Sequence, residues 1–255
     1  MLVLLPPSET KRDGGDGPPV GDVALRHPEL AGARETVAAA LVALARDGDG
    51  SAMMTALKLG PRLAPEIARN RMLAESATMP ALDRYTGVLY DALDAPSLPV
   101  EAREFAAEHV RVHSALFGLV GGLDPIPAYR LSHDSRLPAL KLKSHWRSRI
   151  AAELAAHDGL VLDLRSEGYS ELGPAPVRDG SVFVRVVTRG ADGRKRALNH
   201  FNKQGKGRFA RALLESRVAH ADLDALIAWA AEAGFELARS DERGPGGVAV
   251  VELVV

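Results

Sequence analysis

The chain has 255 residues, 46% apolar and 25% charged, the composition of a soluble globular protein with enough length for a substantial core. No apolar run approaches the roughly 18–20 residues that cross a bilayer, and the lack of cysteine excludes disulfides and thiolate chemistry. The formal net charge of −1 hides two basic windows: eight cations against one acid (Asp192) from Arg189 to Arg211, and five with no acid from Arg136 to Arg149. Because distant charges are screened within about 8–10 Å, such clustering attracts a polyanion more than net charge does.

In chain order, the apolar run 2–5 (LVLL), stopped by Pro6 and Pro7, predicts a buried strand opening into a loop. Residues 12–28, rich in Gly, Asp and Pro, predict a surface loop. A helix is expected over 35–46, with Val37, Leu41 and Leu44 at helical spacing and Gly48 beyond its end. Shorter helices are expected in 51–75, and a longer one over 101–117 with Phe105, Val112 and Leu116 inward. A helix at 145–156 precedes the strand LVLDL. The runs 181–188 and 195–201 predict a hairpin joined by RGADG, whose Asp-Gly suits a tight turn. Helices at 207–218 and 222–233 and a closing strand, VAVVELVV, follow. Mixed elements with a hairpin favour an α+β fold over a doubly wound parallel sheet, as one compact domain spanning 1–255 with a helical lobe near 50–120. The opening MLVLLPPSETK is too short and lacks the basic start of a signal peptide, so a cytoplasmic protein is expected.

Several stretches together resemble the YaaA family of peroxide-stress proteins: LLPPSETK at the start, YTGVLYDAL at 85–93, SALFGLVGGLDPIPAYRL at 114–131, HW at 145–146, LRSEGYSEL at 164–172 and FNKQGKGRFARAL from 201. The resemblance runs nearly the whole length and implies a cytoplasmic protein of the oxidative-stress response with an unusual α+β fold. It also implies binding to double-stranded or structured DNA through a positively charged cleft, and brings no assigned enzymatic activity. Ser8 and Glu9 depart from it, standing where many members carry a small residue and a lysine. The segment LKLGPRLAPEIARNR (57–71) is similar to the hairpin of a helix–hairpin–helix DNA-binding element proposed for that family. There the turn at Gly60 would aim backbone N–H groups at a phosphate, with Arg62, Arg69 and Arg71 adding charge. A plain helix–turn–helix connection is the alternative.

Other residues carry candidate chemistry directly. Ser8 and Lys11 have the Ser-x-x-Lys spacing that on a helix sets a hydroxyl beside an activating amine. The companion motifs of acyl-transfer enzymes are missing, so Ser8, Thr10 and Lys11 are better read as polar cleft residues holding an anion at the end of the first strand, or as a capping turn. His109 and His113 have metal-ligand spacing, but HVRVH lacks the glutamate of HExxH, so surface histidines and no bound metal are expected. Arg130 can fork onto a phosphate or carboxylate, and Trp146 can stack on a base. With Tyr129, Ser132, His133 and His145 they form a ligand-like region, while Ser166 and Tyr169 belong at the carboxyl end of LVLDL. Core packing is the alternative for Tyr129 and Trp146, and a salt bridge for Arg130. In NHFNKQGKGRFARALLE (199–215), Gly205 and Gly207 are expected to loosen the chain at a helix start. Lys203, Lys206, Arg208 and Arg211 would then meet an anion favoured by the helix dipole.

The expectation is therefore a stress protein whose partner is the DNA phosphate backbone, bound with little sequence preference and without a cofactor or membrane. The alternative is an enzyme acting on a nucleotide, nucleobase or other small anionic substrate in a cleft lined by the same groups. Convergence of Ser8, Lys11, Arg130, Ser166, Tyr169 and Lys203 on one pocket favours the enzyme; cations along a broad groove favour DNA.

Overall fold

The computed structural model describes the chain outside residues 48–49, 61–65, 190–194 and 198. Its centre is a sheet built from β1 (Leu2–Leu5), β3 (Val110–Ser114), β4 (Gly118–Gly121), β6 (Val161–Asp163), β7 (Ser181–Arg189), β8 (Lys195–Ala197), β9 (Glu236–Arg243) and β10 (Ala249–Val254). The strand order is β4-β3-β1-β6-β7-β10-β9, with β8 paired to β7. A two-stranded ladder joins β2 (Met79–Pro80) to β5 (Pro125–Ile126). The helices are α1 (Ala31–Asp47), α2 (Gly50–Ala56), α3 (Glu66–Arg71), α4 (Ala81–Arg84), α5 (Val88–Leu93), α6 (Val100–His109), α7 (Leu142–Ala155), α8 (Glu167–Glu171), α9 (Asn199–Ser216) and α10 (Leu223–Glu232).

The fold is mixed α/β, and the preference for α+β needs correcting. β1 pairs in parallel with β3 and β6, β6 with β7, and β7 with β10. Among the described strands of this sheet, β4, β8 and β9 are antiparallel to their neighbours. Strands buried on both faces need continuous apolar runs rather than alternation. That is the pattern of β1, all four residues of which are buried, and of Val250 and Val251 in β10, where the buried Glu252 then interrupts the run.

The expected helix over 101–117 is the second correction. It ends at His109, and Val110–Ser114 turns into the fully buried strand β3. The β-branched Val110 and Val112 fit the pleat, and Val3 and Leu5 of β1 supply their parallel partners. His109 and His113 therefore share no helix face. His109 Nδ1 bonds the Met1 carbonyl at 2.8 Å, and His113 is buried, so neither is the free surface histidine expected. The predicted hairpin exists as the β7–β8 pair; its Asp-Gly turn lies outside the described residues. Residues 199–201, expected to extend the second strand, begin α9 instead.

Gly205 and Gly207 consequently lie inside α9, not at its start. A Cβ on Gly207 would stand 2.2 Å from the Leu89 carbonyl oxygen and 2.8 Å from the Ala92 Cβ, so this glycine lets α9 press against α5. No described helix is long and apolar enough to cross a membrane.

Candidate active site at the carboxyl ends of β1, β3 and β6

In an open parallel sheet, ligands bind beyond the carboxyl ends of the strands, where the strand order reverses. β1 holds that position, with β3 on one side and β6 on the other. The proline-stiffened loop that leaves β1 carries Ser8, Glu9, Thr10 and Lys11 across these ends. Lys11 bridges to Tyr85, Thr86 N–H donates to the Thr10 carbonyl (3.2 Å), and Arg12 N–H donates to the Arg84 carbonyl (2.9 Å). Buried Arg84 clamps the same loop by donating to the Arg12, Ala77 and Ile126 carbonyls. Gly87 supports it from below at φ 96°, with the Ser8 and Thr10 hydroxyls 3.3 Å from where a Cβ would be.

Lys11 is buried at 6% exposure. Its Nζ donates to the carbonyl oxygens of Ser8 (2.9 Å) and Glu9 (3.3 Å) and lies 4.1 Å from the Tyr129 ring centroid and 5.3 Å from that of Tyr85. Burial, and then the nearby Arg130 guanidinium, bring its pKa down to about 7. A neutral amine has two N–H bonds, and two carbonyls meet them, leaving a nitrogen lone pair uncommitted. Protonated, the third N–H has the aromatic faces to rest on.

Arg130 shares the Glu9 carbonyl with Lys11, donating to it from Nη1 at 3.3 Å, and donates from Nη2 to the Glu9 carboxylate at 2.6 Å. Its backbone is gripped at both ends by buried Asn70: the Arg130 N–H donates to Oδ1 (2.8 Å), and Nδ2 donates to the Arg130 carbonyl (2.9 Å). Asn70 belongs to α3, the helix expected to follow a DNA-contacting hairpin.

Behind Lys11 runs a chain of hydroxyls. Ser114, at the end of β3, accepts the N–H groups of Leu116 and Phe117 at 3.1 and 3.0 Å, filling its acceptor positions. Its proton therefore points to Tyr129 Oη at 2.7 Å, and that of Tyr129 to Tyr85 Oη at 2.8 Å. The last free proton belongs to Tyr85. Burial raises the pKa of both tyrosines, so they stay protonated donors.

At the end of β6, buried Asp163 accepts Arg165 Nε (2.8 Å) and Nη2 (2.6 Å) as a two-pronged pair. Arg165 Nη1 donates to His113 Nδ1 at 2.7 Å, which places the imidazole proton on Nε2, a buried atom without a partner among the described residues. The His113 ring stands edge-on to Tyr169, and the His133 ring leans on Tyr169 with centroids 4.9 Å apart.

Comparison with known proteins bears on this arrangement. The family model described as "Peroxide stress protein YaaA" matches residues 1–240. A UPF0246 protein of Corynebacterium glutamicum strain R is 44% identical over 218 residues, covering 84% of each chain. One from Streptomyces coelicolor is 42% identical over 243 residues, covering 93% of this chain and 92% of its own, and one from Maricaulis maris is 28% identical over 230 residues. The chain belongs to the YaaA peroxide stress family.

Within this YaaA-family chain, Ser8, Thr10, Lys11 and Arg130 come together around the Ser8 and Glu9 carbonyls, Tyr169 lies against Ser132 and near Glu9, and Ser166 stands exposed at the N-cap of α8. The Ser-x-x-Lys spacing sets no hydroxyl beside an amine here: the segment is no helix, the Lys11 amine meets the Ser8 carbonyl, and the Ser8 hydroxyl pairs with Thr10. Trp146 is core, fully buried with Nε1 donating to the Ala115 carbonyl at 2.9 Å, so it offers no face to a base. His145 binds the Ala33 carbonyl and lines a shallow surface hollow with Leu137, Leu140 and Lys141.

The basic segment also divides. Lys206 is buried, donates to the Arg165 carbonyl, and is brought to about pKa 8 by burial. Arg211 is tied to the Leu93 and Asp94 carbonyls, Ser97 and Glu215. Lys203 and Arg208 remain exposed. Gly60 is exposed, Arg62 lies outside the described residues, Arg69 pairs with Asp13 and Glu66, and Arg71 donates to the Ala45 carbonyl. Sequence reasoning passed over Asn70, Ser114 and the Asp163–Arg165 pair. The aligned tyrosines of YTGVLYDAL and PAYRL were the available signal for the hydroxyl chain.

Proposed function

We propose that this peroxide-stress-family protein is an enzyme acting on a small anionic molecule, with Lys11 as base or nucleophile and Arg130 as the anion anchor. The observation that carries this reading is the Lys11 amine, desolvated beneath Tyr129 with both N–H bonds committed to backbone carbonyls and its lone pair available. Such an amine is reactive at neutral pH, where an ordinary lysine is protonated. Tyr85, at the end of the directed hydroxyl chain, is the neighbouring proton donor. Trace labelling with acetic anhydride across pH 5–10, read by mass spectrometry at Lys11, is expected to give a midpoint near pH 7. A midpoint near the ordinary lysine value would refute the assignment.

A second reading, non-specific DNA binding, rests on the exposed cations Arg136, Lys141, Arg147 and Arg149, with Lys203 and Arg208 of α9. Such binding would weaken steeply with salt and be shared among these residues. Complementation of a peroxide-sensitive deletion strain separates the two. On the enzyme reading K11M fails to restore resistance, while the quadruple variant R136A/K141A/R147A/R149A restores it. The reverse pattern would favour DNA.

A further inference from the structure

The Arg130 side chain is 8% exposed, whereas the Glu9 side chain paired with it is 63% exposed. A largely buried guanidinium, its backbone pinned by Asn70, is thus met by a carboxylate hanging from a loop in solvent. The asymmetry is that of a receptor and an occupant. From this geometry we infer that Glu9 holds the place of a ligand carboxylate: a small organic acid displaces it, bonds Arg130 through its own carboxylate, and lays its remainder beside Lys11 and Tyr129. The inference rests on the small-anion reading above and narrows it to a substrate class.

Local chemistry favours a carboxylate over a phosphate. Beside Arg130 the atoms facing the site include the Ser8 and Glu9 carbonyl oxygens, which repel additional negative charge, and the Lys11 N–H bonds are already given to them. One guanidinium matches one carboxylate, and the Nη2 contact with Glu9 at 2.6 Å shows that this pairing fits. A phosphate dianion needs further donors. Glu9 is mostly solvated, so moving it aside returns a carboxylate to water. While it stays tethered, it competes with any ligand and lowers the apparent affinity by the fraction of molecules in which Arg130 is free.

The test is calorimetric titration of the full chain with sodium acetate at constant ionic strength in chloride, alongside inorganic phosphate. E9Q is expected to bind acetate at least about tenfold more tightly than the unmodified protein, because the competitor is gone; R130M in the same background is expected to abolish binding. Should R130M not fold, R130K keeps the charge without the fork and is expected to weaken acetate binding about tenfold. Equal acetate affinity with and without the Glu9 carboxylate would overturn the occupant role, yet leave an Arg130-dependent small-anion site standing. Tighter binding of phosphate than acetate by E9Q would overturn the carboxylate class. Acetate binding that ignores Arg130 would sink both this inference and the enzymatic reading.

Discussion

At the residue scale, Lys11 is an ordinary cation in sequence and an unusual one in place. Unfolded, it keeps its proton up to about pH 10.5; folded, it gives that proton up at about pH 7. Between those values the unfolded chain binds more protons, so this residue makes stability rise with pH, by up to about 1.4 kcal/mol per unit. Denaturant unfolding of K11M is expected to lose that part of the rise between pH 7 and 10, and a slope unchanged from the unmodified protein would show that Lys11 is not desolvated. Arg130 teaches the companion lesson. Its chemistry was legible as a fork for carboxylate or phosphate, but the acid that meets it, Glu9, is 121 positions away in the chain. No local spacing announces such a partner.

At the element scale, the surprises come from segments whose composition suits two roles. VRVHS continues a helix on one side and alternates like a strand on the other; burial between β1 and β4 decides for the strand. Glycines beside cations resemble a phosphate-binding turn, yet inside α9 Gly207 is the small residue at the crossing with α5, and Gly205 faces Val186 and Val255. G207A is expected to cost roughly 1–3 kcal/mol by overpacking α9 against the α5 backbone, measured by thermal unfolding. A change under half a kcal/mol would mean that the two helices separate freely. The helix α3 follows the expected DNA hairpin, whose residues 61–65 lie outside the described ones; its buried Asn70 fixes Arg130. A polar residue inside a short helix gives no hint in sequence of which backbone it will hold.

Across the whole molecule, Asp163 and Arg165 join parts that are far apart in the chain. Arg165 reaches His113 of β3 and the Gly173 carbonyl, Asp163 accepts the Ser170 hydroxyl of α8, and the Arg165 carbonyl accepts Lys206 of α9. Removing one charge of such a buried pair leaves the other uncompensated, typically a loss of about 3–5 kcal/mol. For a chain of this size D163A is expected to lower Tm by roughly 10 °C. A shift of only a degree or two would mean that the pair is not the junction its contacts describe.

Local order was legible: the apolar run of β1, the helices near α1, α7 and α10, the β7–β8 pair and the strand β10 all follow from periodicity and turn residues, which depend on neighbours in the chain. The motifs also carried the family, since short ordered signatures survive without a structure. Tertiary structure alone decided which cations are used and which are spent. Burial turned Lys11 into a near-neutral amine, sent Lys206 and Arg211 to backbone carbonyls, and put Trp146 in the core. The physical reason is that charge state and hydrogen-bond partners depend on solvent access and on atoms distant in sequence, and both are set only when the parallel strands bring their carboxyl ends together.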